Sequence, residues 1–224
     1  EDVLSYGIEN IVLATGASWR SDGVGRAHRQ SLQYLVNDRN FTPDDVMVGK
    51  LLKDKATGPI VIFDDDRFYM GSIVAEVAIN TGRKVVFVTS TPNVAAWSEN
   101  TLEQERIQGR LINIGLEIIT SHELFDQQDD FLQIMCSYSG NIREIHCDTL
   151  ILVTSRLPND FLWKELLAKK QDWSDAGVNT VTRIGDCLQP GLIAMAVQSG
   201  HNYVREIIDN KSNVFSREDQ NFAR

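Results

Sequence analysis

The chain has 224 residues, 42% hydrophobic and 24% charged, enough for one large or two small domains of ordinary globular composition. Its net charge of −9 argues against nucleic acid or an anionic membrane as partner, and no apolar run approaches the ~20 residues of a membrane span. The three cysteines, Cys136, Cys147 and Cys187, have no metal-ligand spacing and are expected to be buried thiols in a reducing cytoplasm. No signal peptide is visible and the chain starts at Glu1, so we read it as a piece of something longer.

In chain order, Glu1 to Tyr6 reads as the end of an element. Ile8 to Ala14 reads as a strand, running into Ala14-Thr15-Gly16-Ala17, small residues that let the chain turn beside a nucleotide or simply beside a neighbouring strand. Ser18 to Thr42 is polar and irregular. Thr42 is the expected N-cap of a short helix, with Pro43, Asp44 and Asp45 in its first turn.

Pro59 to Ser90 is the most regular stretch. Ile60 to Phe63 is a continuous apolar run, as in a strand covered on both faces. Met70, Ile73, Val74, Val77 and Ala78 recur on one helical face, Thr81-Gly82 closes that helix, and Lys84 to Val88 gives the next strand. Such a βαβ unit opens a dinucleotide-binding fold, yet its loop lacks the glycine fingerprint. The loop carries Asp64, Asp65 and Asp66 instead, whose charges would repel a diphosphate, with Phe68 and Tyr69 crowding it. A metal-binding role for these acids is the less favoured alternative. We expect a nucleotide scaffold that has lost its nucleotide here.

Beyond Ser90, a helix is expected from Thr101, as N-cap, to Gly115, then a strand over Leu116 to Thr120. Phe131 to Tyr138 alternates, turns at Ser139-Gly140-Asn141 and pairs back over Ile142 to Cys147: an antiparallel flap. Thr149 to Val153 is a further buried strand, ending in Thr154-Ser155-Arg156-Leu157-Pro158-Asn159. Phe161 to Lys170 reads as a helix, and Val178 to Ile184 as a strand leading to Gly185-Asp186. A long helix runs from Pro190-Gly191 to Ile208, and the polar tail from Asn210 to Arg224 is expected to fray. The histidines His28, His122, His146 and His201 form no recognisable cluster, and no catalytic triad can be proposed from spacing.

The order of these pieces resembles two-dinucleotide-domain flavoproteins, and more closely the C-terminal nucleotide-binding half of the trimethylamine, dimethylamine and histamine dehydrogenase family, related to old yellow enzyme and dienoyl-CoA reductase. The resemblance rests on IVLATGASWRSDG (Ile11 to Gly23), the loop from Asp65 to Met70, LVTSRLPN (Leu152 to Asn159) and RIGDCLQPGLIAMAVQSGHNYVREI (Arg183 to Ile207). Ser155 departs from it, standing where a glycine is usual.

The resemblance implies an α/β fold: a Rossmann-like NAD(P)-type domain (56–155), with parallel sheet and antiparallel flap and without bound NAD(P), inserted in an incomplete FAD/ADP-type domain (1–55 and 156–224). It implies a parent oxidoreductase with an N-terminal barrel carrying FMN and a 4Fe-4S cluster, absent from this chain, and ADP or FAD in the FAD-type site. It also implies electron-transferring flavoprotein as electron acceptor and a homo-oligomeric parent. Cofactor-binding residues would be Ala14, Thr15, Gly16, Gly185 and Asp186. Asp186 would face the sugar or diphosphate, or else cap a helix. No catalytic or metal-binding residue is assigned, and no cofactor is expected in this chain alone. The alternative function is an NAD(P)H-dependent flavin reductase or dienoyl-CoA-reductase-like enzyme. It would need glycines after Phe63 and a ribose-binding charge after Val88, where the sequence has Thr89-Ser90.

Overall fold

A computed structural model of the chain describes residues 3–35 and 38–212. In chain order the strands and α-helices are β1 (Asn10–Leu13), β2 (Ala17–Trp19), β3 (Asn40–Phe41), α1 (Pro43–Met47), α2 (Lys50–Lys53), β4 (Ile60–Asp64), α3 (Met70–Ile79) and β5 (Val85–Thr89). They continue with α4 (Gln104–Asn113), β6 (Glu117–Ile119), β7 (His122–Gln128), β8 (Phe131–Cys136), β9 (Ile142–His146), β10 (Thr149–Val153), β11 (Arg156–Pro158), α5 (Phe161–Ala168), β12 (Thr180–Arg183) and α6 (Ile193–Ser212).

The chain divides into a central unit, Trp19–Ser155, and an outer unit, Glu1–Ser18 with Arg156–Arg224. The first dividing line thus falls after Ser18, not at residue 55 as the sequence suggests. The physical reason is pairing: β3 lies parallel beside β10, with Phe41 opposite Ile151, and Trp19 packs on the central core. Residues 19–55 therefore go with the central sheet.

That sheet is five-stranded, in the order β3-β10-β4-β5-β6, and its pairs are parallel. The inner strands β4, β5 and β10 are buried at every position, which is why they read as unbroken apolar runs. Ile60, Ile62, Phe87 and Ile151 point to one face, into a core shared with Val46, Leu51, Val74, Ala78 and Leu111 from the helices. Val61, Phe63, Val86, Val88, Leu150 and Leu152 point to the other. There they meet Leu124, Leu132 and Ile134 of an antiparallel β7-β8-β9 layer and Leu32 and Leu35 of the irregular segment. The flap therefore has three strands rather than the expected two.

Local chemistry fixes the helix ends. Thr42 caps α1 in a capping box with Asp45, each side chain bonding the other's backbone N–H. Gly82, at φ 75°, closes α3 by donating to the Ile79 carbonyl. Thr101 is not the N-cap of α4: it ends a preceding 3-10 turn, and Glu103 takes the cap position without a side-chain bond.

The outer unit is thinner. β1 and β12 form a two-stranded parallel sheet in register Leu13↔Arg183, with Leu4, Ile11, Leu13, Leu166, Val178 and Cys187 as its core. Among the described residues, the helix α6 leaves Ile193, Val197, Val204 and Ile208 exposed along one side and Met195 exposed on another. The part of the polar tail beyond residue 212 lies outside the described residues, and 210–212 continue α6.

Cys147 and Cys187 are buried, but Cys136 is only partly so, because it sits where β8 enters the flap turn. Burial pushes the Cys147 thiol up to about 12, whereas the Ser139 hydroxyl and turn N–H groups pull Cys136 below its ordinary value. No helix of the described residues is long and apolar enough to cross a membrane.

These contacts predict contrasting substitutions. Phe87→Ala, at a fully buried position, should destabilise the central unit by about 3–5 kcal/mol in denaturant unfolding. Val204→Ala, 53% exposed, should change stability by no more than about 0.5 kcal/mol. A large loss at Val204 would contradict the bare face of α6.

Candidate functional site

The expected cofactor-binding residues lie in the outer unit, and the fold brings them together. Because β1 and β12 are adjacent and parallel, the turn Ala14-Thr15-Gly16 and the turn Gly185-Asp186 leave the same end of the sheet. Ligands of open α/β sheets bind at such carboxyl ends. Ala14 and Thr15 are exposed, a Cβ at Gly16 would meet nothing within 4 Å, and one at Gly185 nothing nearer than 3.7 Å. The backbone here is open to a close approach, with both glycines at positive φ.

Two residues that sequence reasoning did not single out hold these turns. Asn159 donates from Nδ2 to the Thr15 carbonyl at 3.2 Å, accepts from Ser18 Oγ at 2.8 Å, and takes the Thr15 hydroxyl on its own carbonyl at 2.5 Å. That hydroxyl also lies 3.0 Å from Cys187 Sγ. Arg156 Nη1 donates to Asp186 Oδ2 at 2.7 Å and its Nη2 to the Gly191 carbonyl at 2.7 Å. Asp186 Oδ1 accepts from the Gly191 N–H at 3.1 Å. The Asp186 carboxylate thus braces the turn leading into α6. In the sequence both lie in LVTSRLPN, one of the stretches that carry the resemblance.

A cavity of about 330 Å³ opens beside the turns, lined among others by Arg183, Gln198, Ser199, Asn202 and Tyr203. The Arg183 guanidinium stacks 3.9 Å from the Trp163 ring centroid and bonds Asp160 at 3.4 Å.

The acidic loop of the central unit turns two of its carboxyl groups inward. Asp64 and Asp65 are fully buried. Asp65 Oδ2 accepts from the backbone N–H groups of Arg26 and Ala27, the latter at 2.7 Å. Its Oδ1 accepts from Ser90 Oγ at 2.7 Å and Arg67 Nη2 at 3.2 Å. Asp64 Oδ1 accepts from the Arg67 N–H at 3.2 Å, while its Oδ2 is buried without a partner. Asp64 fills the approach to α3: a Cβ on Gly71 would come within 2.7 Å of its carboxyl carbon. No group of acids, cysteines and histidines among the described residues is arranged to hold a metal ion.

Burial, reinforced by the charges of Asp66 and Asp65, pushes the Asp64 carboxyl up to about 8 against the pull of backbone N–H donors. The unfolded chain ionises this group near pH 3.9, so its stabilising protonated form is fully present below that pH. The contribution is lost as pH rises through the folded value. Asp64→Asn should therefore gain stability relative to the native chain between about pH 4 and 8, by up to about 1.4 kcal/mol per pH unit, and level off above. Parallel stability–pH curves for the two proteins would refute this.

No family model matches the chain. Dimethylamine dehydrogenase of Hyphomicrobium sp. (strain x) is 32% identical to it over 235 residues, which is 93% of this chain and 31% of the dehydrogenase. Histamine dehydrogenase from Rhizobium sp. 4-9 superposes with a TM-score of 0.88 at 38% identity, over 92% of this chain and 31% of that one. A 6-hydroxypseudooxynicotine amine oxidase from Pseudomonas geniculata N1 gives a TM-score of 0.82 at 32% identity, over 90% of this chain and 29% of its own. The chain spans under a third of the length of each. By sequence and by structure, the chain is homologous to less than a third of dimethylamine dehydrogenase and of histamine dehydrogenase.

Proposed function

We propose that the chain is the nucleotide-binding and interdomain module of an FMN/iron–sulfur amine dehydrogenase-type oxidoreductase and performs no redox chemistry by itself. The observation that carries this is the outer unit. Its paired turns, Ala14–Gly16 and Gly185–Asp186, form one half of a nucleotide seat at the end of a two-stranded sheet. The rest of the sheet that would complete the seat and cover the apolar stripe of α6 belongs, in this reading, to the remaining two-thirds of the parent, where FMN and the 4Fe-4S cluster would supply the electron chemistry.

The residues present fit an ADP moiety, whether of ADP or of FAD. The open backbone at Gly16 and Gly185 supports approach of a diphosphate, and in this reading Asp186, anchored by Arg156, would accept from a sugar hydroxyl. The Arg156–Asp186–Gly191 network would keep the turn rigid, so that binding costs little ordering. The central unit, in this reading an NAD(P)-type domain without NAD(P), would serve as a packing surface. Electron-transferring flavoprotein as acceptor, a cytoplasmic setting and a homo-oligomeric parent belong to the same proposal.

The test compares this chain with a protein in which it is joined to the remaining portion. The chain alone, supplied with FMN, should oxidise neither amines nor NADH. ADP should bind the joined protein and not the isolated chain, and Asp186→Ala should weaken ADP by about tenfold, or ~1.4 kcal/mol. Turnover by the chain alone would overturn the reading, as would ADP binding indifferent to Asp186.

A further inference from the structure

In an open parallel sheet the natural ligand crevice is where the strand order reverses, at the carboxyl ends. In the central unit that place is the junction of β4 with β10: the chain runs from β4 outward to β5 and β6, then returns to lay β10 on the other side. This crevice is filled by the chain's own residues 25–28.

Several contacts hold the segment there. Gly25 N–H donates to the His28 carbonyl at 2.8 Å, closing a tight turn. Arg26 and Ala27 aim their backbone N–H groups at Asp65 Oδ2, the residue that follows β4. A Cβ on Gly25 would lie 2.5 Å from that oxygen and 3.3 Å from Cβ of Thr154, the residue that follows β10. Ser155 Oγ donates to the Val24 carbonyl at 2.5 Å. The His28 ring sits 6.2 Å from that of Phe63, and the Arg26 guanidinium lies 5.1 Å from the Trp97 ring centroid. Below, the junction is sealed by Asp65 and Asp66 N–H groups donating to the Val153 carbonyl.

We infer that residues 25–28 are a built-in occupant of the dinucleotide crevice, closing the central unit by occupation. Consecutive backbone N–H groups on one anionic oxygen are the contact that a phosphate makes with a nucleotide-binding loop. Here the protein supplies both partners, the anion from Asp65 and the amides from the segment. Asp64 completes the replacement by taking the ground in front of α3. The proposal does not depend on the reading of the outer unit. It states what excludes a dinucleotide diphosphate and which contact must open to admit one.

Native-state hydrogen exchange and NADH calorimetry test it on the chain and on two variants. Gly25→Ala puts a Cβ into the Asp65 contact; Gly25→Ala with Asp65→Asn also removes the anion. In the native chain the Arg26 and Ala27 amides should exchange about a hundredfold more slowly than those of an exposed loop, and NADH should give no binding heat at about 5 mM. Both variants should lose at least about tenfold of that protection while the β10 amides keep theirs, and the double variant should bind NADH in the millimolar range. Unprotected Arg26 and Ala27 amides in the native chain would overturn the inference even if neither variant folded. So would NADH binding by the native chain, protection unchanged in both variants, or a released segment in the double variant with no NADH binding.

Discussion

The central unit depends on one costly feature, a pair of carboxylates buried at the end of its central strand. Placing ionised side chains out of water costs several kcal/mol each unless they are bonded or neutralised. The two acids solve this differently. Asp65 stays satisfied through Arg26, Ala27, Ser90 and Arg67. Asp64 has a single strong side of bonding, and its raised proton affinity lets it sit neutral beside α3. Much of the local geometry follows. Gly25 and Gly71 lack side chains because a Cβ at either would collide with a carboxyl group, and Arg67 is held at φ 70°, where side chains are rarely found. The irregular segment before β3 is folded down because its amides are the acids' partners.

The outer unit shows the opposite condition. Its turns are well braced, but among the described residues its sheet has two strands, while a helix the length of α6 normally buries one stripe against several. The chain's homology covers under a third of each relative.

How much of this was legible in the sequence differed by element. The β4–α3–β5 unit and β10 stood out because both faces of each inner strand are covered, giving unbroken apolar runs. The strand β7 did not, because His122, Glu123, Asp126, Gln127 and Gln128 make it polar and a register shift between Leu124 and Asp126 breaks its alternation. The strand β3 is two residues long and is defined only by its partner β10, so the boundary of the central unit was placed too late. The residues 18–42 looked like a surface excursion because they carry no periodic pattern; Asp22 gathers Arg20, Val24 and Ser31 locally, while the anchors Asp65 and Ser155 are far away in sequence. The acidic loop was expected to act through repulsion of a diphosphate by its three carboxylates. Two of the three acids point inward instead, and two of Asp65's partners, the Arg26 and Ala27 amides, come from a segment with no periodic signal. In the outer unit the paired turns were legible as motifs, whereas Asn159 and Arg156, which hold them, act across more than a hundred and across thirty residues respectively.

Occupation of the central unit's nucleotide crevice by residues 25–28 can be read from a backbone amide spectrum of the native chain titrated with NADH to about 5 mM. The signals of Arg26, Ala27 and Gly71 should stay where they are. Saturable shifts at those three amides would place a dinucleotide in the crevice and contradict that occupation.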